Sequence, residues 1–249
     1  MLAKTSPTII ALDARTPMTP WPDFPDSEIA WGSTASSGHF FLEDKTHGLS
    51  VGIWEAGANL GRWMDWPCHE LMIVLEGTVV LVEHDRETVV GPGQSVFVPK
   101  GRRVIWNQPG YLKKLMVLWD HAGIPSMPDM PIVNIDHDAP MEPRDTTPAS
   151  VLLTAMPEQA VRDIFVDGAG QFVVGLWQSS PYTRACVTSP RHEVMHILEG
   201  TVTMTDKAGA SQTFSAGDTF LVTMGNDNAW SSDVTVKKIY CSLQPVSAA

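Results

Sequence analysis

Pro67-Cys68-His69-Glu70-Leu71-Met72-Ile73-Val74-Leu75-Glu76-Gly77-Thr78-Val79 returns 123 residues later as Pro190-Arg191-His192-Glu193-Val194-Met195-His196-Ile197-Leu198-Glu199-Gly200-Thr201-Val202. A shared Leu-Glu-Gly alone would arise by chance; Pro-x-His-Glu and Leu-Glu-Gly-Thr-Val in one register do not. Each copy is rich in Val, Ile, Leu and Met, stops at a glycine and resumes with a β-branched run, the pattern of a strand–turn–strand unit. Glycine belongs at the turn because tight turns often need a positive φ, which only glycine adopts cheaply. The chain is therefore a duplication of one β-unit.

The repeat extends outward from this stretch. Ile9-Ile10-Ala11-Leu12-Asp13 returns as Ile132-Val133-Asn134-Ile135-Asp136, and Pro17-Met18-Thr19-Pro20 as Pro140-Met141-Glu142-Pro143. Val51-Gly52-Ile53-Trp54 matches Val174-Gly175-Leu176-Trp177 in the same register. After the hairpin one inserted residue moves the offset to 124, pairing Gly93 with Gly217, Gly101 with Gly225, Trp106 with Trp230 and Lys113-Lys114 with Lys237-Lys238. A period this long means tandem domains rather than a solenoid. The expected division is an N-terminal domain over residues 1–121 and a C-terminal domain over 132–249. A short linker at 122–131, punctuated by Gly123, Pro125 and Pro128, would join them. Residues 21–50 and 144–173 match least well, and Glu158–Val166 is expected to be a helical turn or two.

Composition narrows the function classes. The chain of 249 residues has a formal charge of -11 spread along its length, which argues against nucleic acid or an anionic membrane as partner. No run is long and apolar enough to span a bilayer, and residues 1–20 lack the apolar core of a signal peptide. Cys68, Cys186 and Cys241 are odd in number and far apart, as for reduced thiols in a cytoplasmic protein. There is no phosphate-binding glycine loop opening a helix and no Gly-x-Ser-x-Gly elbow.

Glu70 to Gly77, followed by Gly93, Pro99 and Gly101, resembles the two motifs of the cupin superfamily. Glu193 to Gly200, then Gly217 to Gly225, follows the same spacing with Thr223 in place of the Pro. The downstream Trp106 and Trp230 make the chain most similar to the ureidoglycine-aminohydrolase and ethanolamine-utilisation-Q branch. The resemblance implies an all-β fold, two tandem jelly-roll (RmlC-like cupin) barrels, and dimerisation through sheet edges. It also implies where a metal would sit: on residues six and four before the Glu, on the Glu, and on one residue after the Pro-x-Gly turn. Here those positions hold Met64, Trp66, Glu70 and Val104 in the first copy, and Val187, Ser189, Glu193 and Asn228 in the second. Only the carboxylates match a ligand set of imidazoles and a carboxylate, so no cofactor is expected.

Strand alternation points His69 and His192 away from the face of the neighbouring Glu, with His196 on the His192 side. His137, flanked by Asp136 and Asp138, could cap a turn. The first lumen is expected to hold Met64, Trp66, Glu70, Met72 and Trp106. The second is more polar, with Ser189, Arg191, Glu193, Asn228 and Trp230. Glu70 and Glu193 are the candidate catalytic residues, because a desolvated carboxylate has its pKa raised and can serve as general acid or base. Ser189, Arg191, Asn228, Trp230, Trp66, Met64 and Trp106 are the candidate ligand contacts, and the C-terminal lumen is the favoured site. The reading is a metal-free bicupin that binds a small polar or anionic metabolite, with at most weak acid/base activity. A metal-dependent aminohydrolase acting on a ureido compound and a structural or storage bicupin are the alternatives.

Overall fold

The computed structural model describes residues 9–246. Val-, Ile- and Leu-rich segments form strands throughout, and the one helical element among the described residues is a 3-10 turn at Ala149–Val151. The segment Gln159–Val166 is a strand, not the helical turn expected, with Gln159, Val161 and Phe165 buried and a bulge between Asp163 and Phe165. Its pairing with Phe172–Ser179 supplies the ladder that decides the matter.

The first barrel is two antiparallel sheets around one core. In the larger, the strands Ser95–Val98, His69–Glu76, Leu112–Trp119, Leu49–Ala56 and Ser36–Asp44 lie in that order. The smaller runs through Glu87–Val90, Val79–Val82, Arg103–Gln108, Asn59–Gly61 and Ile29–Gly32. Trp54, Met72 and Met116 of the larger sheet pack on Leu81, Val104 and Trp106 of the smaller. The second barrel repeats the scheme. Its larger sheet runs through Thr219–Val222, His192–Glu199, Val236–Leu243, Phe172–Ser179 and Gln159–Val166. Its smaller sheet holds Tyr182–Thr188, Asp227–Ser232, Thr201–Asp206 and Ser211–Ser215. The paired sheets, present once in each half, are the tandem jelly rolls that the resemblance to cupins implied.

Gly77 and Gly200 show why the repeated turn needs glycine. Their φ angles are 79° and 81°. A Cβ at Gly77 would stand 1.9 Å from the Tyr111 carbonyl oxygen, and one at Gly200 2.1 Å from that of Thr235.

The ends of the two units differ from the division expected. Residues 14–135 form one compact unit, and residues 136–246 form the other together with residues 9–13. The strand Ile9–Ala11 pairs with Thr219–Val222, Leu12 N–H donates to the Thr219 carbonyl at 2.8 Å, and Ile9 lies in the core of the C-terminal barrel. Its repeat partner, Val133–Asn134, pairs with Val96 and Phe97 and closes the larger sheet of the N-terminal barrel. Ile132 joins that barrel's core. The buried Glu83 carboxylate, bound by Arg86 and by Arg102 at 2.6 Å, accepts the Ile132 N–H at 3.3 Å and so pins this segment. An open sheet edge with apolar side chains takes whichever matching strand is at hand, and the repeat supplies the same apolar strand twice.

Leu12→Ala should therefore weaken the C-terminal barrel by about 2–5 kcal/mol, the usual cost of a buried Leu truncation. Amide exchange should rise first at Thr219–Val222, with the N-terminal barrel unaltered. Faster exchange confined to residues 95–98 would contradict the pairing.

Candidate functional site

Each lumen is organised around a lysine in the middle of an apolar strand. Lys114 lies on Leu112–Trp119 and Lys238 on Val236–Leu243, beside the strands that carry Glu70 and Glu193. Lys114 Nζ donates to Glu70 Oε1 at 2.7 Å and lies 3.2 Å from Met72 Sδ. Lys238 Nζ donates to Glu193 Oε1 at 2.9 Å and lies 3.0 Å from Met195 Sδ. Two indoles cover each ammonium. Lys114 Nζ is 5.1 and 4.7 Å from the Trp54 and Trp106 ring centres, and Lys238 Nζ is 4.7 and 5.3 Å from those of Trp177 and Trp230. The tryptophans meet edge to face in both barrels, at 5.9 Å and 89° for Trp54–Trp106 and at 5.6 Å and 80° for Trp177–Trp230.

This arrangement bears on metal binding. In both lumens the motif carboxylate, Glu70 or Glu193, is already paired with an ammonium at hydrogen-bond distance. The remaining positions of the family's ligand set carry Met64, Trp66 and Val104, or Val187, Ser189 and Asn228. No group of three or more His, Cys, Asp or Glu side chains comes together among the described residues. That donor set does not fit a transition-metal dication. Glu193 also differs from the expected raised-pKa acid. Burial alone would raise the Glu193 carboxyl, but the Lys238 ammonium and the Arg191 guanidinium override it and hold it well below the usual carboxylate range.

The second oxygen of each Glu separates the two barrels. In the first, Glu70 Oε2 accepts the Trp66 indole N–H at 3.1 Å, and the Trp66 ring stacks on Trp106 at 5.8 Å and 17°. Trp66 is 8 % exposed and Met64 packs against the same cluster, so the first lumen is filled by its own side chains. In the second, Ser189 stands where Trp66 would be, and Glu193 Oε2 accepts instead from Arg191 Nε at 3.0 Å. The space is left open as a cavity of about 620 Å³ that Ser189, Arg191, Glu193, Asn228 and Trp230 all line. Sequence reasoning placed these five together, and alternation along the strands carries them to one face.

It missed the residues that complete the wall. Arg184 bonds to Asn228 through both the side-chain and the main-chain oxygen, the latter at 2.6 Å, and has no carboxylate partner among the described residues. Arg144 and Asp163 form a two-pronged pair at 3.1 and 2.9 Å, with the Tyr240 hydroxyl 3.3 Å from the same carboxylate. Four cationic side chains, Arg144, Arg184, Arg191 and Lys238, thus face the cavity against two carboxylates, Asp163 and Glu193. Burial and the neighbouring Arg191 and Arg184 charges lower the Lys238 pKa against the pull of Glu193. Trp230 differs from its counterpart in a second way. Trp106 Nε1 donates to Gln108 at 3.0 Å, whereas Ser232 at the matching position is too short, and Trp230 Nε1 has no hydrogen-bond partner among the described residues. The one signal for Lys114 and Lys238 was a lysine pair kept in both copies of an otherwise apolar strand.

The histidines lie off the lumen face. His69 stacks on Phe97 and Trp119 and accepts the Lys100 N–H at 3.2 Å, and His192 accepts that of Met224 at 3.2 Å. His196 Nδ1 meets Thr219 Oγ1 at 2.7 Å. Asp138 N–H bonds to the Asp136 carboxylate at 3.0 Å, a local turn about His137.

Two outcomes follow from these pairs. Burial, with the nearby His137, pushes the His196 pKa down to about 4 from 6.5. The unfolded chain then binds a proton between those values that the folded chain refuses, so stability should be lost as pH falls from 6.5 to 4, by about 3 kcal/mol in all. Chemical denaturation across that range should show this slope, and His196→Gln should flatten it. Glu193→Gln and Glu70→Gln each leave a buried ammonium unmatched and should each cost about 3–5 kcal/mol in denaturant titrations. Adding Lys238→Met to the first should recover part of that loss.

Comparison with known proteins agrees with this architecture. The model of the EutQ-like cupin domain matches residues 43–114 and again 166–240. No curated protein matches the chain. A DUF861-family protein of unknown function from Pseudomonas syringae pv. tomato is 24 % identical with a TM-score of 0.79, covering 95 % of this chain and 99 % of that one. The cupin 2 conserved barrel domain protein from Leptotrichia buccalis is 8 % identical with a TM-score of 0.59 over 86 % of this chain and 92 % of its own. Protein Ylba from E. coli, also of DUF861, is 9 % identical with a TM-score of 0.56 over 98 % of this chain and 95 % of its own. At such identities the likeness is one of fold. With a match in each half, the chain belongs to the EutQ-like cupin domain family.

Proposed function

We propose that this bicupin is a metal-free binding protein for a small anionic metabolite, held in the lumen of its C-terminal barrel. The observation that carries the reading is the excess of cations over carboxylates lining a cavity of about 620 Å³ in a chain whose net charge is -11. Such a volume suits a small ligand, and a few convergent polar groups in a partly apolar wall are what orient one. Arg144 is matched by Asp163, while Lys238 and Arg191 share Glu193 and Arg184 has only amide and carbonyl partners. A ligand carboxylate would supply the missing negative charge, and guanidinium groups suit it in geometry. The N-terminal barrel, filled by Trp66, serves as scaffold in this reading. Because two cations hold Glu193 ionised, the site favours binding over general acid catalysis.

Calorimetric titration with small carboxylates tests the proposal. Binding should survive prior treatment with a chelator. Arg184→Met should weaken it at least about tenfold, a change of about 1.4 kcal/mol, while Glu70→Gln should leave the affinity unchanged. Preference for amines over carboxylates, or binding restored only by added manganese or zinc, would refute it.

A further inference from the structure

The two lumens differ in net charge. The first holds Lys114 and Glu70, paired at 2.7 Å, which balance each other. Lys238 and Glu193 balance in the same way in the second. Around that pair, at four positions matched by the repeat, charged residues replace neutral ones. Trp21 and Phe40, stacked at 4.8 Å and 25°, give way to Arg144 and Asp163, which bond to each other and cancel. Cys68 gives way to Arg191, and Gly61 to Arg184. The ladders keep this last match: Leu60 pairs with Asn107 just before Gly61, as Thr183 pairs with Ser231 just before Arg184. Neither of these two arginines brings a carboxylate with it. Arg191 Nε shares Glu193 with Lys238, and Arg184 bonds only to oxygens of Ala185 and Asn228 among the described residues. The wall of the second lumen is thus left with two positive charges that nothing in it cancels.

We infer that the ligand of the C-terminal cavity is a small dicarboxylate, one carboxylate taken by Arg184 and the other by Arg191. The inference rests on the anion-binding reading and adds the second charge to it. Water solvates a guanidinium that borders an open cavity. A ligand that fills the space takes this water away, and its own charge must stand in for it. A monoanion of equal size leaves one cation desolvated and unmatched, whereas a dianion matches both. The two arginines come from different sheets. Arg184 lies on Tyr182–Thr188 of the smaller one, and Arg191 directly precedes His192–Glu199 of the larger. Asn228 holds the first and Glu193 the second. Cations held by separate partners suit two carboxylates at the ends of a short chain better than one doubly charged phosphate. Val161, Met195 and Val222 line the same cavity and give methylene groups an apolar surface.

Five probes decide the matter by calorimetry near neutral pH: succinate, glutarate, monomethyl succinate, butyrate and inorganic phosphate. The expected result is that succinate or glutarate binds at least tenfold tighter than monomethyl succinate and butyrate, and tighter than phosphate. Arg184→Met and Arg191→Met should each remove that preference, so that the diacid and its monoester bind alike. The double variant should bind neither. Monomethyl succinate binding as tightly as succinate overturns the second charge and leaves the anion reading standing. Phosphate binding tighter than both diacids overturns the pair of carboxylates and again leaves the anion reading standing. No binding by any of the five overturns both. An undiminished preference for the diacid in either folded single variant overturns the assignment of one carboxylate to each arginine. Should the variants fail to fold, the five-probe comparison on the unaltered protein still decides.

Discussion

A lysine ammonium buried against a glutamate carboxylate, under the faces of two tryptophans, is the interaction around which each barrel is built. Removing either ion from water costs several kcal/mol, and the pair recovers this only with close geometry and further partners. Both barrels supply the same ones: Lys to Glu at 2.7 or 2.9 Å, a Met sulfur at 3.2 or 3.0 Å, and two indoles within about 5 Å. The aromatic faces matter because they attract the cation without adding a charge that would need its own desolvation. A change in one partner strands the other, and the whole set has come through the divergence of the two copies intact.

That shared set leaves the second carboxylate oxygen as the place where the halves diverge. In the first barrel the donor to it is an indole that also fills the lumen. In the second it is a guanidinium, with a serine where the indole would stand. Trp66 against Ser189 and Cys68 against Arg191 are two of the differences between the packed core and the cavity, whose charged wall is completed by Arg144, Asp163 and Arg184. In the first barrel Trp66, Trp106 and Met64 pack in one core cluster; in the second Asn228 and Arg184 line an open space, while the Trp230 N–H is buried with no hydrogen-bond partner among the described residues. Duplication lets one copy hold the fold while the other gives up packing for a site.

Much of this was legible in the sequence. The offset of 123 residues and the Leu-Glu-Gly-Thr-Val turn determined a chain duplicated from one β-unit, and the resemblance of its motifs to cupins implied the two jelly-roll barrels. Strand alternation determined that Trp66, Glu70 and Met72 share one face, that Ser189, Arg191 and Glu193 share its counterpart, and that the histidines lie behind. These are properties of residues close in the chain, where a period of two is enough.

The tertiary structure alone decided three things. It placed Lys114 and Lys238 on the lumen carboxylates, because their strands are neighbours in the sheet but lie more than forty residues apart in the chain. It closed one lumen and left the other open, since whether Trp66 turns inward and stacks depends on a face of Trp106 supplied by another strand. It gave Ile9–Ala11 to the C-terminal barrel and Val133–Asn134 to the N-terminal one, although the repeat assigns each to the opposite half. A repeat records which segments are alike; which sheet edge each one reaches is settled by hydrogen bonds between strands that the order of residues does not encode.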